Sequence, residues 1–450
     1  MVAPARSAAY RALRVIESGQ RDLPTACAAE DAVLPDPRDR ALLREIVSGT
    51  LRWKRRLDYL LAQLASRDTA RLDPEVLSIL ELSAYQLLHL TRVPASAVVD
   101  DAVTMTRAAK KTSAAGFVNG VLRSLSRQRD RLPWPERPPA TAAPAEFVPW
   151  LSVMYAHPDW LVARWVGRMG VDETEAWLRF NTEVPGLTLR HNPLAGDAAA
   201  LLAGLAKAEV AVRPGEWASG AYVVEAGDPS VVLESGLASV QDEASQLVAA
   251  LVEAQPGARV LDVCAAPGGK TTAIAARLDG TGLVVACDIR PRRLRTLAAT
   301  VRAARAGRVR LLHIGARDPL PVAPVFDWVL VDAPCSGLGT VRRDPDIKWR
   351  RVEADLATLA AGQRDILGRA AAAVRPGGSL VYATCSSEPE ENEGVVASFL
   401  ADHPEFSLVN LAAAVPPGLA PALIASDGML KTSPARHHLD AFFGAVLRRR

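Results

Sequence analysis

The sequence predicts a multidomain chain: an all-α N-terminal domain, a small α/β extension, and a Rossmann-like, doubly wound α/β domain. Three observations carry that prediction. First, the apolar run Val260-Leu261-Asp262-Val263 ends in Cys264-Ala265-Ala266-Pro267-Gly268-Gly269-Lys270-Thr271, a strand that turns on Pro-Gly-Gly into a helix. Such a turn leaves bare N–H groups and a helix N-terminus beside whatever binds there. Second, another apolar run, Leu283 to Cys287, ends on Asp288 about twenty residues past the turn, a placement suited to a ribose diol. Third, residues 5 to about 127 carry helical periodicity, and a proline-rich stretch follows them.

Size and composition bound the rest. A chain of 450 residues exceeds one ordinary core, so two or three domains are expected. With 49% apolar and 23% charged residues it reads as soluble and globular. No apolar run is long enough to span a membrane, and Met1 to Ala9 lacks the apolar core of a signal peptide. None of the five cysteines forms a C-x-x-C pair, which argues against a disulfide framework or a zinc site. The expectation is a cytoplasmic monomer with no metal and no membrane partner. A net charge of +3 does not establish nucleic-acid binding, so any basic surface must be local.

In order, Arg40 to Leu64 places Leu43, Ile46, Val47, Leu51, Leu57, Leu60, Leu61 and Leu64 at helical spacing. Pro74 opens the next helix, with Asp73 as its N-cap. Ala97 to Ala109 forms another, and a last one contains Phe117 to Leu122. Residues 1–130 hold 20 basic against 15 acidic residues, with clusters at Arg52, Lys54, Arg55, Arg56 and at Arg107, Lys110, Lys111. These are either solvated helix faces or a phosphate-contacting surface. Prolines mark residues 131–150 as a linker. Residues 151–235 read as a small α/β module: a helix over 158–181 whose tryptophans pack a core, strands at 187–190 and 222–224, and a short helix at 201–208. Residues 236–450 form the doubly wound domain. There Gln241 and Asp242 sit either near the ligand or as a helix cap. A helix follows from 293 to 304, a strand from 327 to 331, a long helix from 353 to 374, a strand from 379 to 383, and a closing strand from 441 to 447.

Two ligands compete for the Pro-Gly-Gly turn. A phosphate-binding loop, G-x-x-x-x-G-K-[ST], requires glycine where Cys264 stands. S-adenosylmethionine, which has a ribose but no phosphate, fits better. Four strand ends then carry chemical groups: the turn, Asp288, Asp332 with Cys335, and Cys385. A lone cysteine is most often an apolar filler. Two in matching positions beside a cofactor turn suit methylation of cytosine carbon 5, because a thiolate adding to carbon 6 makes carbon 5 nucleophilic. A neighbouring cation or helix end should favour that thiolate. The residues alone do not choose between Cys335 and Cys385.

The chain resembles the Sun (Fmu/RsmB-type) RNA (cytosine-5) methyltransferases. The resemblance rests on Asp262 to Thr271, on Asp332-Ala333-Pro334-Cys335-Ser336-Gly337, on Asp344 to Trp349, on Tyr382-Ala383-Thr384-Cys385-Ser386, and on Glu390-Glu391-Asn392-Glu393. Val93-Pro94, Asp101-Ala102-Val103 and Phe117 to Leu122 make the N-terminus similar to the NusB-like RNA-binding domain, and the extension would be RRM-like. The resemblance implies ribosomal RNA as partner, most readily the 16S, with transfer RNA or an inert assembly factor as rival readings. It implies Cys385 as nucleophile, Cys335 as the group that assists release, and Asp332 at cytosine nitrogen 3. Cys264, Ala265, Ala266, Pro267, Gly268, Gly269, Lys270, Asp288, Arg293 and Asp332 would hold the cofactor, and Arg343, Lys348 and Trp349 would lie near the flipped nucleotide. The family usually has an aspartate after the third strand. Here Gly315 or Ala316 stands at that place, and Asp318 is the candidate to replace it.

Overall fold

The structure, a computed structural model, describes residues 2–316 and 318–450. It divides into two compact units, Met1–Val184 with Val341–Glu353, and Pro185–Thr340 with Ala354–Arg450.

The first unit is helical: α1 Pro4–Glu17, α2 Leu23–Asp31, α3 Pro37–Ala65, α4 Pro74–His89, α5 Ala95–Ala108, α6 Ala115–Arg127, α7 Phe147–Met154, α8 Asp159–Met169 and α9 Val171–Thr182. Helix α3 starts where Asp36 caps Arg38 N, and Pro37 loses no intrahelical bond there. It buries Leu43, Ile46, Val47, Leu51, Leu57, Leu60 and Leu61, the stripe read from the sequence. Gly49 lets α4 approach closely, since a Cβ there would lie 1.9 Å from the Tyr85 ring. Asp73 precedes α4 but makes no side-chain cap; its carboxylate pairs with Lys111 at 3.3 Å instead.

The proline-rich stretch ends at α7, where Pro149 is tolerated in the first turn. Its Trp134 packs on the helical core beneath the Arg56 guanidinium, 4.1 Å from the ring centre. Helices α8 and α9 fall in the first compact unit, and the small antiparallel sheet that follows them falls in the second. There Trp165 and Trp177 pack 5.4 Å apart in a buried core, as expected of them, and Asp159 pairs with Arg55.

The second unit has two sheets. The smaller, β2–β3–β1–β4, is antiparallel and built from β1 Thr188–His191, β2 Ala211–Pro214, β3 Ala221–Ala226 and β4 Ala238–Val240, with α10 Ala198–Lys207 and α11 Ser230–Ser235. Because β4 pairs with β1, this sheet extends past residue 235. Helix α12 Glu243–Ala250 then leads to the large sheet, ordered β10–β12–β9–β8–β5–β6–β7, with β11 Leu430–Lys431 beside β12. Its strands are β5 Arg259–Asp262, β6 Leu283–Asp288, β7 Val309–His313, β8 Phe326–Asp332, β9 Val374–Thr384, β10 Phe406–Leu408 and β12 Phe443–Arg449. The helices are α13 Gly269–Arg277, α14 Pro291–Ala303, α15 Ile347–Arg350 (in the segment that joins the first unit), α16 Asp355–Ala371 and α17 Glu393–Asp402.

Strands β5 to β9 pair in parallel, and β12 runs antiparallel beside β9. Alternate side chains enter cores on opposite faces: Val260, Val284, Leu330 and Val381 on one, Leu261, Cys287, Val331 and Tyr382 on the other. The chain winds from β5 to β6 and β7, then returns to β8 on the other side of β5. Ligands of such sheets bind at this switch point, beyond the strands' carboxyl ends.

Candidate active site

The Pro-Gly-Gly turn joins β5 to α13. Gly268 has φ 109°, which glycine adopts without strain, and a Cβ there would lie 2.7 Å from Leu297. Beneath the turn, Thr271 Oγ1 donates to Asp262 Oδ2 at 2.7 Å. Asp262 is 1% exposed and its Oδ1 has no partner, so burial pushes its carboxyl up to about 7.

Two residues of the smaller sheet's side brace the turn. Arg190, on β1, is buried; it donates to Gln241 Oε1 at 2.5 Å, to Thr272 Oγ1 at 2.8 Å, and to the Gly269 carbonyl. All three acceptors are neutral, and burial lowers this guanidinium to about 10. Gln241 also lies against Gly269, whereas Asp242 caps α12 at Ala244 N. Of the two roles open to that pair, Gln241 takes the place near the loop and Asp242 the cap. Arg190 escaped the sequence reading, since nothing local marks an arginine on a short strand as the partner of a loop about eighty residues away.

A cavity of about 210 Å³ opens at the carboxyl ends of β5, β6 and β7. Cys264, Asp288 and Arg293 line it, with Ile289, Ile314 and Leu320 as apolar walls. Asp288 accepts from Arg290 N at 2.9 Å, and Arg293 reaches Asp288 Oδ2 at 3.5 Å and the Ala266 carbonyl at 2.6 Å. Ala265, Ala266, Pro267 and Gly268 form the turn at its edge, where Ala265 N donates to the Cys287 carbonyl. Burial raises the Cys264 and Cys287 thiols, Cys287 to about 12, so both are neutral packing groups. Gly315 N-terminally flanks Ala316 on the β7 side. The Asp318 carboxylate folds back there: its Oδ2 lies 1.8 Å from where a Gly315 Cβ would sit, in the space a side chain at 315 would take.

These groups fit S-adenosylmethionine, with a carboxylate for a ribose, apolar walls for a purine, and a turn that offers no phosphate a free lysine. Lys270 instead pairs with Asp332 Oδ2 at 2.8 Å, which removes the group that a nucleotide-hydrolase loop would aim at phosphate. Although burial opposes its charge, the Asp332 carboxylate and Cys385 hold the ammonium above its ordinary range.

Cys335 follows β8 and Cys385 follows β9, and their sulfurs are 3.3 Å apart. The two loops are tied at Ala333 N to Ala383 O (2.8 Å), Gly339 N to Cys385 O (3.0 Å) and Ser336 Oγ to Ser386 Oγ (3.1 Å). One buried carboxylate joins them: Glu391 accepts from Ser336 N, from Ser386 Oγ and from Gln363 Nε2. Its backbone carbonyl takes the Tyr382 hydroxyl. The hydrogen bond to Cys385, then burial, then the charges of Cys385 and Glu391 hold Cys335 far above the ordinary thiol range.

Arg343, Lys348 and Trp349, expected near a flipped nucleotide, have local partners as follows. Segment 341–353 belongs to the helical unit. There Lys348 is fully buried and donates to the Arg52 carbonyl at 3.0 Å, and Trp349 Nε1 donates to the Leu51 carbonyl at 2.6 Å. Burial, reinforced by Arg52, pushes the Lys348 ammonium far below its ordinary value. Both side chains bond carbonyls of α3, and Arg343 is half-buried in the same segment. The basic clusters of the helical domain are also largely consumed. Arg52 is buried, Lys54 pairs with Glu81 and Glu17, Arg55 with Asp159, and Lys111 with Asp73 and Glu75.

Comparison with known proteins matches this organisation. Residues 249–448 match the family model for the 16S rRNA methyltransferase RsmB/F, residues 3–127 the NusB family, and residues 157–229 the RsmF/B-like ferredoxin-like domain. The ribosomal RNA small subunit methyltransferase B of Pseudomonas putida is 36% identical over 414 residues, 90% of this chain and 91% of that protein. Its namesake from Yersinia enterocolitica is 34% identical over 417 residues, with coverage of 90% and 91%. Among solved structures, PH0851 superposes over 100% of this chain and 99% of its own, with a TM-score of 0.79 and 26% identity. A methyltransferase homologue from Pyrococcus horikoshii covers 67% of this chain and 98% of its own, with a TM-score of 0.56 and 25% identity. With a NusB-type helical domain, a ferredoxin-like extension and a cofactor fold carrying paired cysteines, the chain belongs to the RsmB/F family of 16S rRNA methyltransferases.

Proposed function

We propose that this protein is a cytoplasmic S-adenosylmethionine-dependent methyltransferase that forms 5-methylcytosine in small-subunit ribosomal RNA through a covalent Cys385 adduct. The observation that carries the reading is the cysteine pair, 3.3 Å apart at the ends of β8 and β9, beside the Lys270–Asp332 ion pair. The bound cofactor supplies an electrophilic methyl group. Cys385 thiolate adds to carbon 6, forming the C–S bond and making carbon 5 the nucleophile that takes the methyl group. Asp332, held as a carboxylate by Lys270, accepts a hydrogen bond from nitrogen 3 once that nitrogen has taken up a proton, and so stabilises the charge that develops on the ring. Cys335, held as a thiol, assists the elimination in which the carbon 5 proton leaves to a base and the Cys385–carbon 6 bond breaks. Ala265 to Lys270, Asp288, Arg293 and Asp318 hold the cofactor. The target base leaves its stack to reach this site, at about a few kcal/mol, which favours an unpaired cytosine.

The test is methyl transfer from labelled cofactor to 16S ribosomal RNA and to transfer RNA by wild type, Cys385→Ala and Cys335→Ala. The reading expects labelled cytosine in ribosomal RNA, an inactive Cys385→Ala, and a protein–RNA adduct that accumulates with Cys335→Ala. A wild type that binds RNA but labels nothing points to an assembly factor with an inert fold.

A further inference from the structure

Between Asp288 and Asp318 the sequence has nine arginines and no acidic residue. This stretch forms the end of β6, helix α14 and the edge strand β7. On α14, Leu294, Leu297 and Val301 turn inward, while Arg292, Arg295 and Arg302 share the exposed opposite face at spacings of three and seven residues. Arg305, Arg308 and Arg310 continue the exposed charge past the helix. They donate to the carbonyls of Ser235, Gly280 and Gly307, bonds that steady the guanidinium groups without neutralising them. Among the described residues, none of these six has a carboxylate partner within 4.0 Å, unlike most of the basic clusters of the helical domain.

Stability does not account for this face. The first turn of α14 carries Arg292 and Arg293 and no acidic residue, although the positive end of the helix dipole disfavours cations there. Local rules are broken in this way where function requires it. We propose that the exposed face of α14 and the turn after it grip the phosphodiester backbone of the RNA that flanks the target base. This rests on the RNA-methyltransferase reading and adds to it an anchoring surface on the catalytic domain itself. The span from Arg292 to Arg302 is about 15 Å, along which one strand of a duplex carries about four phosphates.

The test uses the full chain with Arg292→Gln, Arg295→Gln and Arg302→Gln combined; Arg290 and Arg293, which line the cofactor cavity, stay intact. Binding to naked 16S transcript is measured across a salt titration. The expected result is affinity weaker by about tenfold or more at low salt and a logarithmic salt slope shallower by about two to three. Calorimetric affinity for S-adenosylmethionine should stay unchanged, and the corresponding triple lysine variant should recover the slope. An unchanged slope overturns the proposal. So does a variant that binds naked RNA normally but fails on protein-bearing small subunits, which would assign the face to an acidic protein. Methyl transfer is scored separately: a wild type that transfers no methyl group, while the variant still loses salt slope, removes the function and leaves the surface standing.

Discussion

Two lysines from sequence motifs, Lys270 and Lys348, are both withdrawn from solvent and have opposite environments. Lys270 faces the Asp332 carboxylate, and its charge is reinforced. Lys348 is buried among helices, donates to the Arg52 carbonyl and lies 5.2 Å from the Trp349 ring centre, and its charge is opposed by burial and by the Arg52 side chain. The difference shows that a buried ammonium is sustained where a carboxylate faces it. Where a backbone carbonyl is its partner, it fastens a segment.

The sharpest way to break this contrast is to remove each ammonium in turn. Lys270→Met should lower kcat by about a hundredfold, because Asp332 loses its orienting partner and an uncompensated carboxylate is left in the site. Lys348→Met should keep kcat within about twofold, with unfolding free energy changed by only about 1 kcal/mol, since one carbonyl loses a donor while a buried charge is removed. Equal losses of kcat in the two variants would erase the distinction.

A smaller effect is expected where a charge acts through neutral acceptors. Arg190→Met should raise KM for S-adenosylmethionine by about tenfold with a lesser change in kcat, because the Gly269 carbonyl and Thr272 lose their brace. A kcat loss without a KM change would place Arg190 in the chemical step. Smaller again, Asp318→Ala should weaken cofactor binding about threefold to tenfold by calorimetry, if its carboxylate serves for the aspartate missing at 315. Unchanged affinity would take Asp318 out of the site.

The remaining expectation concerns Asp262. Its folded carboxyl is raised to about 7 from an ordinary 3.8. Between those values the native state keeps a proton that the unfolded chain has released, so this contribution to stability is full below pH 4 and is lost as pH rises through 7. Urea unfolding at pH 5 and pH 8 should show a larger loss for wild type than for Asp262→Asn, at most about 1.4 kcal/mol per pH unit. Parallel losses would mean that Asp262 is ionised throughout.

What was legible in the sequence follows from range. The Pro-Gly-Gly turn, Asp288 and the two cysteines stand at strand ends, where apolar runs of a few residues mark the position, and the structure brings them to one edge of the sheet. Core tryptophans and the α3 stripe were legible for the same local reason. Arg190 and Gln363 were not, because their partners come from other segments and no local pattern announces them. The bond from Lys348 to α3 was hidden for a related reason, since the carbonyl it binds lies 296 residues away in sequence. Strand β4 hid inside what read as a helix lead-in, because three residues give no periodicity until a partner strand pairs with them.

The most direct test of the account is the identity of the sulfur that bonds to RNA. A 16S fragment bearing 5-fluorocytidine at the target, incubated with enzyme and cofactor, should trap the adduct, since fluorine cannot leave carbon 5 as a proton does. Peptide mass spectrometry should then find the nucleotide on the peptide containing Cys385, with Cys335 unmodified. An adduct on Cys335 would contradict the assignment, and a wild type that methylates cytosine with no adduct on either sulfur would contradict covalent catalysis itself.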